Sequence, residues 1–194
     1  MSDPYVRKAR EDGYRSRAAF KLIEINTAGR FLIPGRRVVD LGAAPGGWSQ
    51  VALQRVGAAG RVVAVDLLEI APISGLTVIR GDFRQPEVQA DLVAALGGEK
   101  ADVVLSDLSP NISGIASADQ ARAAELVRMA IDFCRSHLKP DGVFLAKVFQ
   151  GGEFAEVLKD MKQVFRDVKV TKPSASRGES RETYLLARGL KGLQ

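Results

Sequence analysis

The sequence predicts an α/β protein: a mostly parallel sheet of seven strands, helices on both faces, and a last antiparallel strand. Three observations carry this reading. Short runs rich in Val, Ile and Leu alternate with helical patterns, as in sheets covered on both faces. Several of these runs end in Asp or Gly, and in such sheets ligands bind outside the carboxyl ends of the strands. The last two strand segments are joined only by a 174–181 linker rich in Ser, Gly and Arg, so they pair antiparallel.

The elements follow in order along the 194 residues, which are read as one domain. Residues 1–36 form a basic N-terminal extension and a helix at 16–28, with Ser16 as N-cap and Phe20, Leu22 and Ile23 as apolar positions. Pro34-Gly35 marks a turn. Strands are expected at 37–42, 61–68, 76–83, 101–108 and 142–149, with helices at 46–57, 86–96, 118–138 and 153–165. Lys139-Pro140-Asp141-Gly142 closes the long helix, and strands at 166–173 and 182–189 complete the chain.

Composition excludes several classes. Hydrophobic residues make up 46% and charged residues 26%, an ordinary globular mix. No apolar run reaches a membrane-spanning length of about 18 residues. The first residues lack the apolar core of a signal peptide, and the single Cys134 excludes a disulfide framework. A soluble, cytoplasmic protein is expected, with no membrane association and no metal; His137 is the one histidine and sits late in a helix. The net charge of +5 is unevenly spread. Residues 1–37 hold nine Lys and Arg against four Asp and Glu, residues 38–158 hold ten against fifteen, and residues 159–194 hold nine against four. Two basic ends around an acidic centre point to a polyanionic partner gripped by the ends.

The strand ends carry the candidate ligand site. The first ends in Asp40-Leu41-Gly42-Ala43-Ala44-Pro45-Gly46-Gly47-Trp48. Glycines there let backbone approach a ligand, and the next helix presents its N-terminus. Asp66 ends the second strand, where a carboxylate accepts hydrogen bonds from ribose hydroxyls. Asp82 follows the third, within reach of an adenine edge. The spacing of Gly42, Gly46 and Gly47 departs from the dinucleotide pattern G-x-G-x-x-G. It resembles the S-adenosylmethionine loop of Rossmann-like methyltransferases, and the strand-end carboxylates suit a cationic cofactor. Three further residues stand out: Asp107 ends the fourth strand, Lys147 lies inside an apolar strand, and Glu182 begins the last. A lysine in a buried strand needs a partner.

Over nearly its whole length the chain resembles the FtsJ/RrmJ (RlmE) family of ribosomal RNA 2′-O-methyltransferases. The resemblance rests on Ser16-Arg17-Ala18-Ala19-Phe20-Lys21-Leu22, the 39–50 segment, Gly81-Asp82-Phe83, the 107–114 segment, Lys147-Val148-Phe149-Gln150-Gly151 and Ser180-Arg181-Glu182-Thr183-Tyr184. It implies a catalytic tetrad of Lys21, Asp107, Lys147 and Glu182, and a cofactor site at Asp40, Gly42, Gly46, Gly47, Trp48, Asp66, Asp82 and Asp107. A ribose 2′-hydroxyl must lose its proton as it attacks the methyl carbon. A neutral lysine is a competent base where burial and a second cation favour the neutral form. Lys147 is the expected base, oriented by Asp107, with Lys21 steering the alkoxide and Glu182 positioning Lys21 or the ribose. The implied target is a uridine in the A-loop of 23S ribosomal RNA within the large subunit, and the protein is expected to be a monomer. Arg7, Lys8, Arg10, Arg15 and Arg17, with Lys172, Arg177 and Arg181, are the candidate RNA contacts. Transfer RNA as substrate, or S-adenosylmethionine binding without catalysis, remain the alternatives.

Overall fold

The computed structural model describes residues 3–176, 178 and 180–192. Seven strands form one sheet: β1 Arg37–Leu41, β2 Arg61–Asp66, β3 Leu76–Arg80, β4 Ala101–Ser106, β5 Leu138–Phe149, β6 Phe165–Thr171 and β7 Glu182–Leu190. Their order is β3-β2-β1-β4-β5-β7-β6. The β1–β2, β2–β3, β1–β4 and β4–β5 pairs are parallel, and β7 runs antiparallel to both β5 and β6. The expected class is therefore the observed one. The strand order reverses direction at β1 and β4, and a crevice opens there above the strand ends.

Continuous apolar strands are explained by helices on both faces. On one face α2 (Ala18–Gly29) and α3 (Gly47–Val56) cover Val38, Val62, Val103, Leu105 and Leu145. On the other, α4 (Pro86–Ala95), α5 (Ala116–His137) and α6 (Phe154–Val164) cover Val39, Leu41, Val104 and Phe144. Neighbouring residues of one strand thus feed opposite cores, as the period of two requires. Each buried Val, Leu or Phe contributes about 1.5–3 kcal/mol. The edge strands β3 and β6 are the exceptions: Thr77, Val78 and Arg80 of β3 and Arg166, Asp167, Lys169 and Val170 of β6 are exposed.

Three local expectations are corrected. The N-terminal extension contains a helix, α1 (Pro4–Glu11), whose N-cap Asp3 accepts a hydrogen bond from the Tyr5 N–H, with Pro4 at the first helical position. Ser16 does not cap α2, which begins at Ala18 after Arg17 without a side-chain cap. Lys139-Pro140-Asp141-Gly142 is not a turn but part of β5, which starts at Leu138. Ala101 pairs with Leu138 and Val103 with Val143, so β5 carries extra residues in a bulge that houses Pro140.

Two contacts fix α2, and with it Lys21, against the sheet. The Asn26 carboxamide oxygen accepts from the N–H groups of Phe31 and Leu32 at 3.0 and 2.8 Å, closing the turn into β1. The Trp48 indole N–H donates to the Ala18 carbonyl at 2.9 Å, joining the first residue of α2 to α3.

Candidate active site

The four residues of the expected tetrad come from four separate elements. Lys21 lies on α2, Asp107 just beyond β4, Lys147 within β5 and Glu182 at the start of β7. They form two ion pairs. Lys21 Nζ donates to Glu182 Oε2 at 2.6 Å, and Lys147 Nζ lies 3.1 Å from Asp107 Oδ1. Both lysines are buried, at 7% and 8% exposure. The antiparallel register sets Phe149 opposite Glu182 and Lys147 opposite Tyr184, which brings both ends of the tetrad to one end of the sheet. The Asp107 N–H donates to the Leu41 carbonyl at 3.1 Å, locking that residue over the first strand end.

Electrostatics follow from this pairing. Burial pushes the Asp107 carboxyl above its usual range, against the pull of Lys147. Burial acts the same way on Glu182, but the hydrogen bond and charge of Lys21, aided by Lys147 and Arg17, hold that carboxyl below its ordinary value. Burial also raises the Tyr184 phenol, which lies beside Asp107 and Glu182.

One member of the site was not singled out by sequence. Lys147 Nζ donates to Ser109 Oγ at 2.6 Å. Ser109 sits in the quoted 107–114 segment, but only the fold shows which side chain it meets.

The loop after β1 has the cradle shape the glycines imply. Gly42 has a φ of +73°, and a Cβ there would lie 3.1 Å from the Leu108 backbone. At Gly47 a Cβ would meet Ser16 Oγ at 2.4 Å, so Ser16 shapes this loop instead of capping a helix. Gly46 adopts φ +114°. A cavity of about 370 Å³ runs from Gly42 and Ala44 past Asp66, Asp82 and Asp107 to Lys147. It falls at the lower end of small-molecule sites, roughly 300–1,000 Å³. A second pocket of about 150 Å³ shares Gly42, Ala44 and Asp107 and reaches Asp40 and Trp48.

The strand-end carboxylates differ in occupation. Asp66 accepts from the N–H groups of Ala44 and Leu68, both at 2.9 Å, and keeps lone pairs toward the cavity. Asp82 is held by Arg84, whose side chain and N–H bind it and lower its pKa. Asp40 is fully buried; its Oδ2 accepts from Ser49 Oγ at 2.7 Å, while Oδ1 has no partner among the described residues. Burial drives its pKa up to about 7, the Asp107 and Asp66 charges add to this, and Ser49 opposes it.

That raised pKa has a consequence for stability. The folded value lies above the ordinary 3.8, so the ionised carboxyl opposes folding. The effect is on the order of 4 kcal/mol once the group is ionised. Stability from this group is full below about pH 4 and is lost as pH rises to about 7. Chemical denaturation of the ligand-free protein at pH 5 and pH 8 should show the wild type losing more stability than Asp40→Asn; equal losses would refute it.

The basic residues at the ends divide sharply. Arg15 donates to the carbonyls of Pro45, Ala71 and Pro72, strapping the glycine loop to the 71–72 segment. Arg17 is paired with Asp3. Lys8 Nζ lies 5.0 Å from the Phe20 ring centre, Arg7 pairs with Glu11 at 3.8 Å, and Lys172 donates to the Ser180 carbonyl at 2.8 Å. Arg10 and Arg181 are exposed, and Arg177 lies outside the described residues. Arg15 and Arg17 thus spend their guanidinium groups on the protein's own chain. His137 lies at the end of α5, 3.3 Å from the Gln89 carboxamide, and burial lowers its pKa. Among the described residues no group of His, Cys, Asp and Glu is arranged to hold a metal ion, and no helix is long and apolar enough to cross a membrane.

Known proteins similar to this chain are methyltransferases. The FtsJ-like methyltransferase family model matches residues 14–190. A ribosomal RNA large subunit methyltransferase E from Azoarcus sp. (strain BH72) is 53% identical over 191 residues, covering 98% of this chain and 93% of the relative. One of the same name from Nitrosomonas europaea is 53% identical over 186 residues, covering 96% and 90%. A Plasmodium falciparum crystal structure described as a ribosomal RNA methyltransferase superposes with TM-score 0.83 at 28% identity, covering 93% of this chain and all of that one. Fibrillarin from Aeropyrum pernix, solved with natively bound S-adenosylmethionine, shares the fold alone, at TM-score 0.64 and 18% identity over 90% of this chain and 75% of that one. With the family model spanning most of its length, the chain belongs to the FtsJ-like methyltransferases.

Proposed function

We propose that this protein transfers the methyl group of S-adenosylmethionine to a ribose 2′-hydroxyl of large-subunit ribosomal RNA, at a uridine of the A-loop. The single observation that carries this is the Lys147–Asp107 ion pair on the wall of the 370 Å³ cavity, with the Lys21–Glu182 pair close enough for its charges to act on Asp107. The names of the bacterial relatives supply the substrate class.

The cavity suits the methyl donor. The unpartnered Asp40 Oδ1 is an acceptor beside the glycine loop, Asp66 offers lone pairs for ribose hydroxyls, and Asp82 lies at the far wall. Gly42, Gly46, Gly47 and Trp48 form the loop around them. S-adenosylmethionine bound there supplies a methyl group activated by a sulfonium.

The chain's own residues then divide the work. A neutral lysine amine has two N–H bonds and one lone pair. Lys147 pairs with Asp107 and donates to Ser109; once its ammonium has lost one proton, the amine keeps those two contacts and gains the lone pair that takes the ribose hydroxyl proton. Lys21, paired with Glu182, stabilises the negative charge that grows on the ribose oxygen. Burial of both lysines excludes water from the proton transfer. We read the chain as one domain in which residues 1–36 serve both RNA binding and catalysis, with exposed Arg7, Arg10 and Arg181 nearest to free phosphate ligands.

The test offers large subunits, free ribosomal RNA and transfer RNA to the purified protein with methyl-labelled S-adenosylmethionine. Label is expected in the large-subunit RNA. Label confined to transfer RNA would replace the proposed substrate, and binding of S-adenosylhomocysteine with no label in any RNA would favour a non-catalytic role.

A further inference from the structure

Ile112 is 87% exposed and Ile115 is 63% exposed, on the loop between Asp107 and α5. Single exposed aliphatic residues are ordinary. Here two lie within four residues, on a loop that is braced at both sides. At one side Ser109 Oγ holds Lys147 Nζ at 2.6 Å. At the other, the Asp119 carboxylate accepts from the Ser113 hydroxyl at 2.7 Å and from the N–H groups of Ser113 and Gly114 at 2.9 and 3.2 Å. Between these anchors Pro110 fixes one backbone dihedral. Ile112 is therefore presented outward on a fixed platform.

The cofactor cavity does not account for this residue. Leu67, Leu68, Leu108, Ser109 and Leu126 line that cavity, while Ile112 and Ile115 do not. The proposed base, Lys147, is 8% exposed, so the target ribose has to come inward to meet it. A nucleotide held in a continuous stack cannot do so without losing a neighbour. Ile112 lies three positions beyond Ser109, a reach of at most about 11 Å, which is the scale of the adjoining nucleotide. Apolar side chains inserted between bases unstack nucleic acid elsewhere.

We propose that Ile112 is a wedge that enters the base stack of the RNA beside the target nucleotide, opening it so that the ribose reaches Lys147. Ile115 backs the wedge from the same loop. The inference rests on the RNA methyl-transfer reading above. It makes Ile112 a positioning residue, since it acts on the neighbour of the reacting group.

The test uses a ribosomal RNA fragment methylated by the wild-type protein, with 2-aminopurine placed next to the methylated nucleotide. Wild type should raise its fluorescence on binding. Ile112→Ala should lose most of that rise and slow turnover by about tenfold or more, the scale of an unassisted unstacking step. Its affinity for S-adenosylhomocysteine should stay unchanged, and Ile112→Leu should keep the wild-type rate. A substrate with an abasic site beside the target should restore Ile112→Ala to near the wild-type rate. Full fluorescence and rate in Ile112→Ala would overturn the wedge. So would a parallel loss of S-adenosylhomocysteine binding, which would make the loop a cover for the cofactor, or a failure of the abasic substrate to rescue. A wild type that methylates no RNA overturns the functional reading itself and the wedge with it.

Discussion

Lys147→Ala should abolish methyl transfer while leaving S-adenosylhomocysteine binding within about threefold of wild type. General-base groups typically contribute 10²–10⁴-fold to rate, so a loss of about a thousandfold or more is expected in single-turnover assays. The replacement also leaves the buried Asp107 carboxyl without its cation, and burial already pushes that carboxyl up. The variant's Asp107 is therefore expected to take up a proton more readily than the wild type's, which limits the cost to the fold. Lys147→Arg tests the role more sharply. It keeps a cation beside Asp107 but holds its proton at any working pH, so it should be as inactive as Lys147→Ala. An arginine variant with most of the wild-type rate would remove Lys147 as the proton acceptor and leave it a purely electrostatic part.

Gly42→Val carries the largest expected loss of fold and ligand together. A φ of +73° is an outlier for a β-branched residue, costing about 1–3 kcal/mol. The added side chain would also crowd the Leu108 backbone, with the first carbon 3.1 Å from it. Overpacking of this kind costs about 1–3 kcal/mol more. The total of roughly 4 kcal/mol corresponds to a fall in Tm of about 8–16 °C for a chain of this size. S-adenosylhomocysteine affinity should fall by about a hundredfold, since Gly42 and Leu108 are both cavity wall. Gly35→Ala is the matched control: its φ is +85°, but nothing lies within 4 Å of the added carbon. It should cost only the backbone strain and leave ligand binding alone. Equal losses of binding in the two variants would show that fold stability, and not the loop's shape, sets the affinity.

How much of this was legible in the sequence depends on how local each determinant is. The strands were readable because their apolar runs are continuous, and the antiparallel end was readable because the 174–181 linker is too short for a crossover. Asp40, Asp66 and Asp107 could be placed at strand ends from sequence because each lies at or next to the end of an apolar run. α1 was missed although its signal was present: Asp3 followed by Pro4 is an N-cap followed by a first-turn proline. The β5 bulge was hidden because Lys139-Pro140-Asp141-Gly142 has the composition of a turn, and only the pairing of the flanking Leu138 and Val143 with β4 shows that the strand runs through it. Residues 161 positions apart meet in the Lys21–Glu182 pair, and family resemblance alone brought Lys21 forward. The partners of Arg15 are hidden for the same reason. Its acceptors are carbonyls 30 to 57 residues away, which leave no pattern in the side chains. The basic character of the N-terminal segment was real, but part of it holds the glycine loop and α1 in place.

The central claim is that the acceptor is a ribose hydroxyl of large-subunit RNA. Its most direct test extends the labelling of large subunits. The RNA is digested completely to nucleosides, and the labelled product is identified by mass spectrometry. One labelled nucleoside is expected, a uridine whose added methyl fragments with the ribose, and none from subunits treated with Lys147→Ala. A label that fragments with the base would contradict it, as would undiminished label from the Lys147→Ala protein.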